Sequence, residues 1–233
     1  MTGTAYGIGV GPGDPELMTL KGQRLLRAAP VVAYPAPLEG DSLARKIAAP
    51  HLVGGQTEIA IRMPIEAARF PAQNVYDAAA EDIGAHLDAS RDVAILCEGD
   101  PFFYGSFMYL FARLAERWPV EVVPGVSSLT AAAAVLAAPL ASRNDVLTVL
   151  PAPLDDATLR ARLAATDAAA IVKLGRHFGR VRALLDELGF RDAAYVEHAT
   201  MANQRVVPLH EVDAAAVPYF SMVLVHRRGR AWT

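Results

Sequence analysis

Glu98-Gly99-Asp100-Pro101 sets two carboxylates around a glycine, directly after the apolar run Val93–Cys97. Two acids in one turn can work as a general acid and base. They can equally serve as a helix cap plus a hydrogen-bond acceptor for a ligand. Phe102-Phe103-Tyr104 follows at once and reads either as core or as an apolar contact. A second chemical stretch, Gly9-Val10-Gly11-Pro12-Gly13-Asp14-Pro15-Glu16, suggests a dinucleotide loop until its spacing is tested. The G-x-G-x-x-G pattern fails from each start, because Pro12, Asp14 and Glu16 stand where the last glycine is needed. Prolines also remove N–H donors and acids repel phosphate, so this loop is not a pyrophosphate cradle. In Pro124-Gly125-Val126-Ser127-Ser128 the serines lack the Gly-x-Ser-x-Gly elbow of a hydrolase, and a helix-capping role is open to either of them. His51, His86, His177, His198, His210 and His226 are scattered without His-x-x-x-His spacing, which argues against a metal site. Cys97 is the single cysteine; its place in an apolar run predicts a buried, inert thiol.

The elements that must hold these groups alternate between strand and helix. Ala5 to Val10 predicts a strand and Thr19 to Ala29 a helix ended by Pro30. Val31 to Tyr34 predicts a second strand, stopped by Pro35 and Pro37. A short helix over 41–48 and a weak strand near Leu52 follow, and residues 54 to 72 carry no clear pattern and suggest a loop over the site. Val75, Ala79, Ile83 and Leu87 recur every fourth residue and define a helix over 73–89. Val93–Cys97 needs no polar alternation if it is a parallel strand covered on both faces. Asp100 is placed to cap the next helix, with Phe103, Phe107, Leu110 and Leu114 as its apolar stripe. After the strand 120–123, Ser127-Ser128 open the alanine-rich helix 129–138. Pro139 and the polar group Ser142–Asp145 then mark a passage into the second half.

That half repeats the alternation: strand 146–150, helix 155–164, strand 169–174, helix 176–188 and strand 193–197. Strands 205–210 and 220–226 have no long helix between them and are expected to pair antiparallel. Lys173 is the charged residue in an apolar run; it either snorkels to solvent or reaches into a cleft. If the strands before Gly11, Glu98 and Pro124 are parallel, their loops share one sheet edge, where open α/β sheets collect ligands.

Composition narrows the partners. The chain has 233 residues, 53% hydrophobic and 20% charged, with a formal net charge of -3. That balance describes a folded protein and gives no support for a nucleic-acid surface, while leaving room for a local basic patch. No run approaches the roughly 20 apolar residues of a membrane helix. Met1-Thr2-Gly3-Thr4 lacks the basic and apolar parts of a signal peptide, so a soluble cytoplasmic protein is expected.

Taken together, three stretches carry a family resemblance. Gly9-Val10-Gly11-Pro12-Gly13-Asp14-Pro15-Glu16-Leu17-Met18-Thr19-Leu20-Lys21, Glu98-Gly99-Asp100-Pro101 and Pro124-Gly125-Val126-Ser127-Ser128 resemble, in order, three signatures of the tetrapyrrole (corrin/porphyrin) methylases. The resemblance implies a two-domain α/β fold, divided here as 1–125 and 126–233 with a mixed sheet in the second part and the active site in an interdomain cleft. It implies a homodimer and S-adenosylmethionine as methyl donor, with a tetrapyrrole as substrate and no metal. By similarity Pro12, Glu98, Gly99, Asp100, Phe103, Ser127, Ser128, Lys173, Leu174 and Ala199 are cofactor contacts. Gly13, Asp14, Lys21 and Phe107 are candidate substrate contacts, and no acid, base or nucleophile is assigned. Because the implied substrate carries many carboxylates, Lys21, Arg45 and Arg62 are expected to line its trough. Where uroporphyrinogen-III methyltransferases carry charge after Gly-Asp-Pro, this chain reads Gly105-Ser106-Phe107-Met108-Tyr109-Leu110. That departure, with Tyr34-Pro35, instead resembles the branch that methylates precorrin-2 at C(20) in cobalamin biosynthesis. Sibling activities on cobalt-bearing precorrin-2, uroporphyrinogen III or another precorrin position share the same loops.

Overall fold

Val93–Cys97 (β4) is buried along its whole length because both faces of its sheet are covered. Val93, Ile95 and Cys97 enter one core, while Ala94 and Leu96 enter the other. The computed structural model describes residues 2–63, 73–190 and 192–229. It divides the chain into two compact units, Met1–Ser127 and Ser128–Thr233.

The first unit is a parallel sheet of β1 (Ala5–Gly9), β2 (Val31–Pro37), β3 (Thr57–Met63), β4 and β5 (Val120–Val123), in the order β3-β2-β4-β1-β5. Helices α1 (Leu20–Ala28) and α2 (Leu43–Ala48) carry the residues that cover one face. Helices α3 (Gln73–Asp88) and α4 (Phe107–Leu114) cover the other. Thr19 accepts from the Gly22 N–H at 3.1 Å and so starts α1, while Ser42 caps α2 through Arg45 N–H at 3.2 Å.

Several expectations are corrected here. β2 runs through both prolines. Thr57 donates its N–H to the Pro30 carbonyl at 2.9 Å, so the even-numbered residues of β2 face β3. Pro35 and Pro37 therefore turn their missing N–H to the other side, where pairing with β4 has already ended at Ala33–Ile95. The edge strand β3 occupies 57–63, inside the stretch without a clear sequence pattern, and Leu52 only closes a 3-10 turn. The remainder of that stretch, 64–72, lies outside the described residues. Helix α4 begins at Phe107, so Asp100 does not cap it and Phe103 is not part of its stripe. Phe107 is 1% exposed; its ring fills the space that Gly7 on β1 leaves open, which takes it out of reach of a substrate.

The second unit orders its strands β6 (Leu147–Pro151), β7 (Ala168–Val172), β10 (Ser221–His226), β8 (Ala194–Glu197) and β9 (Arg205–Pro208). β6 and β7 are parallel, and every other pair is antiparallel. β9 and β10 do not pair with each other, because β8 lies between them. Helix α5 (Ser128–Val135) packs Leu129 and Ala132 against Ala170, Val172 and Val196. The chain thus enters this unit before the helix, ahead of Pro139. Helices α6 (Asp156–Ala164) and α7 (Phe178–Glu187) carry residues that close the other face.

Asp145 ties the entrance of this unit to its last strand. Its carboxylate accepts from Arg228 at 2.9 Å, from the Ser142 N–H at 2.8 Å and from His226 Nε2 at 3.1 Å. The Arg228 guanidinium, followed by the Ser142 N–H, holds this carboxyl below the ordinary range. A depressed carboxyl stabilises the fold above its unfolded pKa and loses that contribution as the pH falls. Asp145→Asn is expected to lower the thermal midpoint at pH 7, with the gap from wild type narrowing as the pH drops below about 4. A gap that stays constant across that titration would contradict the assignment. For the first unit, Phe107→Ala should cost about 3–5 kcal/mol in urea unfolding, the penalty of emptying a core site.

Candidate functional site

Three neighbouring parallel strands, β4, β1 and β5, leave the sheet at the same edge, and glycines let their exits touch. Val10 N–H donates to the Cys97 carbonyl at 2.9 Å. Gly99 N–H then donates to the Gly11 carbonyl at 2.8 Å, and Gly11 N–H returns to the Gly99 carbonyl at 3.3 Å. Gly11 and Gly99 hold φ of 84° and 63°, the left-handed region that glycine occupies without strain. The third exit locks onto this pair. A Cβ on Gly125 would overlap the Gly99 carbonyl, and one on Gly9 would lie 2.6 Å from the Gly125 Cα. No other residue type fits either position without moving backbone.

Asp100 is the side chain that fastens the arrangement. Its Oδ1 accepts from the Phe102 N–H at 2.9 Å, and Oδ2 accepts from the Gly125 N–H at 3.0 Å. One carboxylate thus shapes its own turn and pins the neighbouring loop, which satisfies two backbone donors at a sheet edge. Glu98 faces the start of α2, where its carboxylate accepts the Ala44 N–H; burial raises its pKa above the ordinary carboxyl range. Asp14 shapes the first loop by accepting the Glu16 N–H at 2.9 Å. The Cys97 thiol is 2% exposed, and burial pushes its pKa up to about 12, so it stays protonated and unreactive.

The loops also expose aromatic surface. Phe103 is 37% exposed, with Tyr104 edge-on at 5.1 Å between ring centroids. Pro12 is buried, Gly13 and Ser127 are half-buried, and Ser128 is exposed as the first residue of α5. The expected trough cations have other partners. Lys21 is ion-paired with Glu121, and Arg45 grips Glu58 with Nε at 3.1 Å and Nη2 at 3.0 Å. Arg62 donates to the Pro37 and Gly40 carbonyls at 2.8 and 2.9 Å.

In the second unit, β7 and β8 both run antiparallel to β10, so they end at the same sheet edge. Lys173 and Leu174 follow β7, and Ala199 follows β8. Leu174 is fully buried in the unit's core, leaving only its main chain to a ligand. Lys173, His198 and Thr200 hold φ of 60°, 50° and 69°, so the chain turns sharply as it leaves each strand. Tyr219 and Phe220, which precede β10 at this edge, were not singled out from sequence; the signal was an aromatic pair after Pro218 with no stripe to join.

The three loops of the first unit carry Asp14, Glu16, Glu98 and Asp100 but no lysine or arginine. That set of acceptors, with hydroxyls and an aromatic face, fits a cationic, phosphate-free nucleoside and would repel a pyrophosphate. Among the described residues no group of histidine, cysteine, aspartate and glutamate could hold a metal ion, and no helix is long and apolar enough to cross a membrane.

This chain belongs to the tetrapyrrole (corrin/porphyrin) methylases, whose family profile matches residues 4–213. It is 47% identical over 232 residues to the cobalamin biosynthesis protein CobIJ of Mycobacterium tuberculosis H37Rv, covering 96% of this chain and 46% of that protein. The chain therefore spans about half the length of that relative. A precorrin-2 C(20)-methyltransferase from a Sinorhizobium species is 41% identical over 232 residues, covering 96% of this chain and 95% of that one. Among solved structures, the uroporphyrin-III C-methyl transferase of Thermus thermophilus complexed with S-adenosyl homocysteine superposes with a TM-score of 0.69. The two are 25% identical over 96% of this chain and 92% of that one. The mixed α/β fold is the one these methyltransferases share.

The loop geometry makes a specific demand. Asp100→Asn removes one of two acceptors and should cost about 1–2 kcal/mol. Amide exchange at Gly125 is expected to accelerate in that variant, and unchanged protection there would contradict the assigned hydrogen bond.

Proposed function

We propose that this protein transfers a methyl group from S-adenosylmethionine to the C(20) meso carbon of precorrin-2 in cobalamin biosynthesis. The observation that carries the substrate assignment is the match to a precorrin-2 C(20)-methyltransferase along nearly the full length of both chains. The stretch Gly105–Leu110, which leads into α4 without the charges of the uroporphyrinogen-III enzymes, supports the same choice. The cofactor reading rests on the family, on the Thermus relative's complex and on the acidic, cation-free character of the three loops. The proposed working form is a cytoplasmic homodimer with no nucleic-acid or membrane partner.

When bound, S-adenosylmethionine supplies a methyl group activated by its sulfonium, and the enamine-like system of the reduced macrocycle supplies the carbon nucleophile. The protein's work is alignment of the two, which contributes about 7–11 kcal/mol as effective molarity. In the first unit Pro12, Gly99, Asp100, Phe103 and Ser127 are the residues proposed to hold the donor, Asp100 by fixing the loops and Phe103 as the apolar contact, with Ser128 at the start of the second unit. Glu98 acts there through its main chain and through α2, since its carboxylate is engaged with Ala44. Lys173, the main chain of Leu174 and Ala199 are the proposed contacts from the second unit. Gly13, Asp14 and Lys21 remain candidates for the substrate side, Lys21 only if its pair with Glu121 opens.

Incubation with labelled S-adenosylmethionine tests the assignment. Label is expected to enter precorrin-2, at C(20) by NMR, and not uroporphyrinogen III; the reverse preference would overturn the substrate choice. Calorimetry should show Asp100→Ala binding the cofactor at least about tenfold more weakly, roughly 1.4 kcal/mol, with circular dichroism retained. A wild-type protein that binds no cofactor at millimolar concentration would remove the reading altogether.

A further inference from the structure

A polycarboxylate substrate needs cations, and the first unit places few where its loops are. The three loops there hold four carboxylates, and Lys21, Arg45 and Arg62 already serve Glu121, Glu58 and two carbonyls. The second unit's sheet edge has the opposite character. Its turns 173–177 and 198–204 contain Lys173, Arg176, His177 and His198 and no carboxylate. Glu197, which immediately precedes the second turn, is buried and accepts from the Tyr195 hydroxyl at 2.6 Å and from Arg205 at 2.8 Å.

Arg176 is exposed, and its guanidinium has no hydrogen bond or ion pair among the described residues. It sits on the 3-10 turn Gly175–His177 that the His177 N–H closes on the Leu174 carbonyl at 2.8 Å. Burial, and then the guanidinium groups of Arg176 and Arg180, depress the pKa of the adjacent His177; Arg180 is itself paired with Asp156, which leaves Arg176 as the unpaired guanidinium of this turn among the described residues.

Next to this turn stands an apolar surface. A Cβ on Gly175 would lie 3.9 Å from the Tyr219 Cα. Tyr219 and Phe220 are 57% and 45% exposed and meet edge-on at 5.3 Å between ring centroids. The Phe220 carbonyl accepts the His198 N–H at 2.8 Å, and the His198 ring lies 6.5 Å from the Phe220 ring. Main-chain bonds therefore hold the pair at the strand ends although much of it faces solvent, where two exposed aromatics would otherwise cost hydration.

We infer that Arg176 and Tyr219–Phe220, on the same edge as the proposed donor contacts Lys173, Leu174 and Ala199, bind the tetrapyrrole, with Arg176 pairing a peripheral carboxylate and Tyr219–Phe220 lying against the macrocycle. A flat conjugated ring with an acidic rim matches an aromatic face beside an arginine fork, each part recognising what the other cannot. The inference rests on the proposed substrate class, and it assigns Arg176, Tyr219 and Phe220 a binding role.

Fluorescence titration with uroporphyrin III, a stable macrocycle bearing eight carboxylates, tests it on the full chain. Arg176→Gln is expected to weaken binding roughly tenfold, a charge-assisted pair lost from one rim position. Tyr219→Ala should weaken it severalfold, Arg176→Lys should recover part of the loss, and high salt should narrow the gap between wild type and Arg176→Gln. Arg162→Gln, an exposed change on α6, is the control and should bind as wild type. Cofactor affinity by calorimetry should survive Arg176→Gln, which separates a lost carboxylate contact from a distorted turn. Equal affinity in wild type and Arg176→Gln, or no porphyrin binding by wild type, would overturn the inference. Methyl transfer to precorrin-2 with normal affinity in Arg176→Gln would reject this site and keep the activity. Porphyrin binding lost in Arg176→Gln without any transfer to precorrin-2 would do the reverse.

Discussion

The contact on which the first unit depends is the approach of three strand exits at Gly9, Gly99 and Gly125. Neighbouring strands lie about 4.8 Å apart in a ladder, and beyond it a Cβ at Gly9 or Gly125 would bar these exits from touching. Here the missing Cβ atoms let one carbonyl, that of Gly99, rest against the strand exits at Gly9 and Gly125. The Gly11–Gly99 exchange and the Asp100–Gly125 bond then convert proximity into a fixed geometry. That rigidity favours binding at the loops, since residues on tied loops lose less entropy when they meet a ligand.

Charge is distributed as deliberately as shape. Acids cluster on the glycine-tied loops, and several cations of the same unit are bound by neighbouring acceptors on its sheet and helices. Arg45 with Glu58 and Tyr34 is one such closed network, its Tyr34 hydroxyl 2.7 Å from Glu58. Binding of that carboxylate by Arg45, and then by the Tyr34 hydroxyl, lowers the pKa of Glu58, so the pair stays ionised together. Arg176, unpaired among the described residues, and the exposed Tyr219–Phe220 pair lie on the second unit's edge. A single large ligand with a flat body and an acidic rim would use both features of that edge.

The second sheet shows how topology decides what a sequence can present. Inserting β10 antiparallel between β7 and β8 brings the start of one strand to the ends of two others. Tyr219 and Phe220 thereby join Lys173 and Ala199 at one edge, although they stand some distance apart along the chain. The same insertion separates β9 from β10, which hairpin reasoning had paired.

Local chemistry was legible in the sequence wherever a residue acts on its own neighbourhood. The alternation of strands and helices, the burial of Cys97 and the failure of the dinucleotide spacing all follow from residues close in sequence. The family signatures were equally legible, because glycines, prolines and acids at fixed offsets record a backbone shape. Long-range choices were not. That Asp100 reaches Gly125 instead of capping α4, that Phe107 fills the space left by Gly7, and that β2 passes through two prolines each depend on a partner strand. Propensity cannot see that partner. The sequence by itself determined which groups are present and which local turns they make; the tertiary structure decided which of them meet, because sheet order and register place residues that chain distance leaves unrelated.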